Sequence, residues 1–184
     1  KNLPETIPEK EGLVDRERLL DFAGRGRKPQ MALAQKCGLT DYPAPAGGCL
    51  LTDVGYSKRL KDLFAHQDEC TEEELLLLKY GRHFRLNPET KLIVGRTQKD
   101  NENILKYHNP QTDTVIDVKD YAGPTALIPH GGPKDMIYLA GSICVGYSKA
   151  SNLMPIDAVV KTPAGEETIE VIGIPTSDFK KLLI

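Results

Sequence analysis

Apolar positions along this chain follow two different rhythms, and the change comes near Gly81. Before it, apolar residues recur at helical spacing. Asp15 can cap a helix over RERLLDFAG that stops at Gly24. Pro29 stands at a first helical position ahead of QMALAQKCG, and SKRLKDLF (57–64) is a short amphipathic stretch. Thr71 and Glu74 have capping-box spacing before Leu75–Leu78, so a second helix follows and the two pair as a helical hairpin. Residues 1–12, with two prolines, are expected to be an extended linker, and TDYPAPAGGCLLTD (40–53) a rigid turn followed by a flexible one. After Gly81, short β-branched runs predict strands at His83–Leu86, Lys91–Val94, Thr114–Val118, Ala126–Pro129, 156–162 and 167–173, with helices over 98–108 and 134–149. The expected class is α+β: a mixed sheet with two main helices, preceded by a mostly helical N-terminal segment. The division falls between a tail and linker (1–78) and an α+β domain (79–184).

Leu86–Lys106 concentrates the candidate chemistry. Asn87-Pro88 is a turn, Lys91–Val94 a buried strand, Gly95 a sharp junction, and Thr97 a cap for a helix with Ile104-Leu105 on its apolar side. Arg96, Lys99, Asn101 and Asn103 then share an exposed corner. A guanidinium, an ammonium and two amides suit phosphate and nucleotide contacts better than proton transfer. The competing reading pairs Arg96 with an acid such as Asp120, tying two loops together. Lys119 precedes that acid in a turn, and Lys149 ends a helix, where it also suits the helix dipole. Arg25, Arg27 and Lys28 form a basic run with no acid before Lys36, either a solvated helix start or a phosphate-facing patch.

Composition narrows these options. The chain has 184 residues and a net charge of −2, so RNA contact has to come from local patches and not from a global basic field. Cys37, Cys49, Cys70 and Cys144 show no CxxC spacing, which suggests a reduced, cytoplasmic protein. The histidines are scattered, and no metal site is expected. No apolar run reaches membrane-spanning length, so no membrane partner is expected. Lys1 in place of methionine reads as a piece of a longer protein. Cys49, after Gly47-Gly48, is either a buried structural thiol or a thiol that a ligand can approach closely.

The order of motifs from Ile93-Val94-Gly95-Arg96 with Asn101 and Asn103, through Lys119-Asp120-Tyr121-Ala122-Gly123, to Tyr147-Ser148-Lys149 resembles the NFACT-R RNA-binding domain, over roughly residues 82–173. The usual Asn after VGR is Thr97 here. That resemblance implies binding of tRNA or another structured RNA through Arg96, Lys99, Asn101, Asn103, Lys119 and Lys149. The segments EKEG-x-V-D-R, GRGRK-x-Q and PAGGCLLTD followed by S-x-RLKDL resemble the tail of a PP-loop tRNA-thiolation protein, also labelled methyltransferase-like. This second resemblance implies an upstream PP-loop domain in the same protein, ATP and the option of an iron–sulfur cluster for that whole protein, and no cofactor in the present residues. It also gives Cys49 a candidate catalytic role in sulfur transfer, with Arg25, Arg27 and Lys28 lowering its pKa or holding substrate phosphate. A plain protein–protein scaffold is the third option.

Overall fold

The computed structural model describes residues 4–24, 26–41, 49–150 and 153–184, which fall into two compact units, Lys1–Gly47 and Gly48–Ile184. The first unit holds α1 (Ile7–Lys10), a 3-10 turn at Arg16–Arg18, and α2 (Lys28–Lys36). Two expectations change here. Residues 7–10 form a helical turn and not an extended linker, because the Glu9 carboxylate accepts from both the Thr6 N–H and the Thr6 hydroxyl. Conversely, the helix expected from Arg16 to Gly24 shrinks to one 3-10 turn capped by Asp15, which accepts from the Glu17 N–H. Leu19, Leu20 and Phe22 remain exposed. A short helix is stable mainly through an apolar face that packs, and this one buries none.

The second unit contains α3 (Val54–His66), α4 (Glu72–Leu77), β1 (Arg82–Arg85), β2 (Lys91–Val94), α5 (Gln98–Tyr107), β3 (Thr114–Val118), β4 (Thr125–Ile128), α6 (Lys134–Gly146), β5 (Ile156–Thr162) and β6 (Gly165–Val171). The α+β class therefore holds, but the sheet is antiparallel throughout and not mixed as expected. The strands form one sheet in the order β1-β2-β4-β3-β5-β6, antiparallel at every pairing. Helices cover both faces of its β1–β4 half. Leu92, Val94, Ile116, Ala126 and Ile128 pack toward Ala140, Ile143 and Cys144 of α6. Their neighbours Ile93, Val115 and Leu127 pack on the other face with Leu77 of α4 and Ile104 of α5. Two covered faces explain why these strands are apolar at consecutive positions. β5, in contrast, buries Ile156, Ala158 and Val160 and alternates with less buried residues, as a strand covered on one side should. The capping box is present in α4, with Thr71 accepting from the Glu74 N–H and Glu74 from the Thr71 N–H.

One junction joins β2, α5 and β4. The Asn101 side-chain oxygen accepts from the Thr125 N–H at 3.1 Å, and the Gly95 N–H donates to the Thr125 carbonyl at 3.0 Å. A Cβ on Gly95 would stand 1.9 Å from that same Asn101 oxygen. Here glycine serves close approach and not an unusual φ.

A charge cluster fastens α3 to the hairpin. Arg85 holds Asp62 through Nε at 3.2 Å and through Nη2, while Lys91 Nζ lies 3.8 Å from Asp62. Burial brings the Lys91 ammonium down to about 8 against the attraction of Asp62. Nearby His83 is fully buried, its Nε2 2.8 Å from the Tyr80 carbonyl. Burial, followed by the charges of Lys91 and Arg59, pushes its pKa well below 6.5.

The unfolded chain therefore binds a proton at His83 that the folded chain refuses, and stability should rise with pH across that window. Denaturant titrations should show stability falling as pH drops below 6.5, by up to about 1.4 kcal/mol per pH unit. In His83→Gln, which keeps a donor for Tyr80, that slope should flatten. An unchanged slope would mean that another group controls the transition. At the glycine junction, Gly95→Ala should cost about 1–3 kcal/mol by overpacking, and so should Asn101→Ala by leaving the Thr125 N–H unpaired. Because the first substitution acts by displacing Asn101, the double variant should be less destabilised than the sum of the two. Simple additivity in a double-mutant cycle would refute this coupling.

Candidate nucleic-acid interface

Three segments far apart in sequence meet at one hollow of about 430 Å³. Its charged and aromatic lining comes from Arg82 at the start of β1, Arg96 after β2, and Tyr147 and Lys149 after α6, with Gln98 and Asn101 of α5 beside them. Residues 122–124 complete the lining, and none of the described residues that line the hollow carries a carboxylate. Local contacts explain the convergence. The hairpin register sets Arg82 opposite Val94, beside Gly95 and Arg96. The turn after β3 is brought to the end of α6 by the Lys149 N–H, which donates to the Ala122 carbonyl at 3.0 Å. Gly123 lets them touch, since a Cβ there would lie 2.9 Å from the Ser148 Cβ.

Arg96 is fixed at one edge and open at the other. Its Nε donates to Asp100 Oδ2 at 3.0 Å and its backbone N–H to the same oxygen at 3.1 Å, while its side chain stays 44% exposed. The acid that pairs with Arg96 is thus Asp100, one helical turn away, and not Asp120. Burial alone would raise the Asp100 carboxyl, but the Arg96 side-chain and backbone donors outweigh it and hold the group below the usual aspartate range. Arg82 lies with its guanidinium carbon 4.5 Å from the centre of the Tyr147 ring and Nη1 3.5 Å from the Gly95 carbonyl. Tyr147 in turn is wedged against Phe84 and Phe179, with ring centres 6.3 and 5.4 Å away. Thr97 caps α5 by accepting from the Asp100 N–H at 3.1 Å. The first turn of α5 thereby faces the hollow through Thr97 and Gln98, adding helix-start polarity that favours an anion. Behind Arg96, half-buried Arg59 of α3 donates to the Leu78 carbonyl. Its pKa is lowered first by burial and then by the Arg96 charge.

Of the residues singled out from sequence, Arg96, Asn101 and Lys149 come together here. Asn101 spends its oxygen on Thr125. Lys99 is exposed on α5 outside the hollow, and Asn103 donates to the Lys99 carbonyl at 2.7 Å. Lys119 pairs with Asp157 at 3.3 Å, and Asp120 takes a left-handed turn at φ 61°. Arg25 lies outside the described residues, while Arg27 and Lys28 start α2 in the other compact unit. Cys49 is exposed, as is Cys37; Cys70 is partly buried, and Cys144 is fully buried with its thiol pKa pushed up by burial. Among the described residues, no group of three His, Cys, Asp or Glu side chains is placed to share a metal, and no helix is long and apolar enough to cross a membrane. Sequence reasoning missed Arg82, Gln98 and Arg59. A register drawn through the 87–90 turn would have placed Arg82 next to Arg96, whereas nothing local marks Arg59.

No curated protein matches the chain. Among solved structures, the C-terminal part of the fibronectin/fibrinogen-binding protein from Streptococcus suis is similar at 13% identity. That match covers 72% of this chain and 68% of that one, with a TM-score of 0.49. A comparison with protein families matches residues 81–182 to the NFACT protein RNA binding domain. That stretch holds the whole sheet, α5, α6 and every residue lining the hollow, and the chain belongs to this RNA-binding family.

Proposed function

We propose that the Gly48–Ile184 unit binds structured RNA, with tRNA as the leading candidate, and that the hollow at the β2–α5 junction is where phosphate is held. The observation that carries this reading is the meeting of Arg82, Arg96 and Lys149 around a space lined by no acid, in a chain whose net charge is −2. Asp100 anchors one edge of the Arg96 guanidinium and leaves its Nη groups to an anion, the geometry suited to bidentate phosphate recognition. Phosphate and 2′-hydroxyl contacts suffice to hold folded RNA without reading its sequence, so affinity should be modest and sensitive to salt. In the whole protein, the unit would position its RNA for an upstream PP-loop domain that uses ATP in sulfur transfer. The exposure of Cys49 supports a second reading, in which that thiol takes part in the transfer or ligates a cluster.

Arg96→Ala should weaken tRNA binding by roughly 1–3 kcal/mol, the loss expected for a charge-assisted contact. The slope of log affinity against log salt should shrink by about one. Filter binding or fluorescence anisotropy over a salt series measures both. Cys49→Ser should leave binding unchanged. If Arg96→Ala lowers the melting temperature while the folded fraction still binds normally, Arg96 serves only the fold.

A further inference from the structure

The hollow at Arg96 does not end at Arg82. On the other side of the Arg82–Tyr147 pair lies a second hollow of about 520 Å³, lined by Arg82, Phe84, Tyr147, Thr176, Ser177 and Lys180. It also has no carboxylate in its lining; the adjacent Asp178 is turned to accept from the Ser177 hydroxyl at 2.7 Å. The two spaces therefore share one ridge, with Arg96 and Lys149 on one side, Lys180 on the other and Arg82 between them. Both fall within the roughly 300–1,000 Å³ of pockets that enclose a small molecule.

We propose that the two hollows form one track for an unpaired stretch of RNA, with consecutive nucleotides on either side of the Arg82–Tyr147 pair and a base stacked on the outer face of the Arg82 guanidinium. This proposal rests on the RNA-binding reading above and adds the form of RNA that the site takes. A duplex keeps its bases paired inside and presents a convex rail of phosphates, which cannot enter two separate hollows. An unpaired strand can turn a base into each. Arg82 is placed for that contact: its guanidinium carbon lies 4.5 Å from the centre of the Tyr147 ring, its Nη1 reaches the Gly95 carbonyl, and Phe84 and Phe179 pack against Tyr147. The guanidinium is thus positioned before a base arrives, and guanidinium planes stack on bases. Phe84 and Leu183 add apolar surface to the second hollow, while Thr176 and Ser177 bring hydroxyls for sugar contacts. The spacing of cations on both sides of a stacking ridge is the arrangement expected for following a single strand.

The test compares an unpaired oligoribonucleotide of about 12 residues with a blunt duplex of the same length, within the site sizes of single-strand binders. The intact 184-residue chain is used, with tRNA as a positive control. The unpaired strand should bind about tenfold more tightly than the duplex, the value of one stacked base. Arg82→Lys keeps the charge but removes the plane; it should lose about that factor for the unpaired strand and leave the salt slope unchanged. Lys180→Ala should lower the salt slope for the unpaired strand by about one. If Arg82→Lys does not fold, 2-aminopurine placed along the strand provides the readout on the unaltered protein, because stacking quenches its fluorescence. Equal affinity for duplex and single strand, together with no quenching, would overturn the track while leaving RNA binding at Arg96 intact. Failure of every RNA to bind, tRNA included, would remove both.

Discussion

The Asn101 carboxamide oxygen, pressed against Gly95 and bonded to the Thr125 N–H, is the contact on which the site depends. It joins the end of β2, the first turns of α5 and the start of β4. Any Cβ at 95 would expel the oxygen. With this contact made, the direction in which the chain leaves β2 is settled, and with it the position of Arg96. Asp100 then meets both the Arg96 backbone and its Nε. The exposed chemistry is therefore set by a polar contact beneath it, in a neighbourhood where Thr125 is buried and an unmet backbone N–H would cost about as much as a lost hydrogen bond.

Much of the fold is legible in the sequence, because the β-branched runs and Gly/Pro breaks after Gly81 are local signals of strand and turn. Lys91–Val94 and Thr114–Val118 are strands with the expected bounds, and Thr71…Glu74 is a capping box. The N-terminal part was less legible for a physical reason. RERLLDFAG has the right residues for a helix but lies where its leucines are not buried, and a sequence window does not reveal whether a partner surface exists. The reverse holds for Val54–His66 and Glu72–Leu77. They read as part of a tail, yet they share a compact unit with the sheet, and Leu77 reaches the cluster that contains Ile93 and Leu127.

The candidate site was half legible for a similar reason. Residue type alone cannot separate an amide that reaches outward from one that bonds inward. Asn101 and Asn103 both have the residue type of ligand contacts, but the Asn101 side chain accepts from the Thr125 N–H and the Asn103 side chain donates to the Lys99 carbonyl. The opposite error concerns Arg82. It appeared ordinary at a strand start, and only the β1–β2 register, a non-local fact, sets it beside Arg96.

Charge accounting then decides which cations matter. Lys119 faces Asp157 across two exposed side chains, so it carries little field of its own toward a distant phosphate. Arg85 and Lys91 share Asp62 beneath α3. Arg96 also has an acid, Asp100, but meets it only through Nε and its backbone N–H; with Arg82 and Lys149 it borders a space whose described lining residues include no carboxylate, so a chain with an overall negative charge still offers an anion one locally positive surface. Two of the three are also held in place: Arg96 by Asp100, and Arg82 by the Tyr147 face. Ordering a free arginine costs up to about 1.5–2 kcal/mol of side-chain entropy. Much of that cost is met on folding at these two positions, so a bound phosphate or base can use the contacts themselves without first having to organise them.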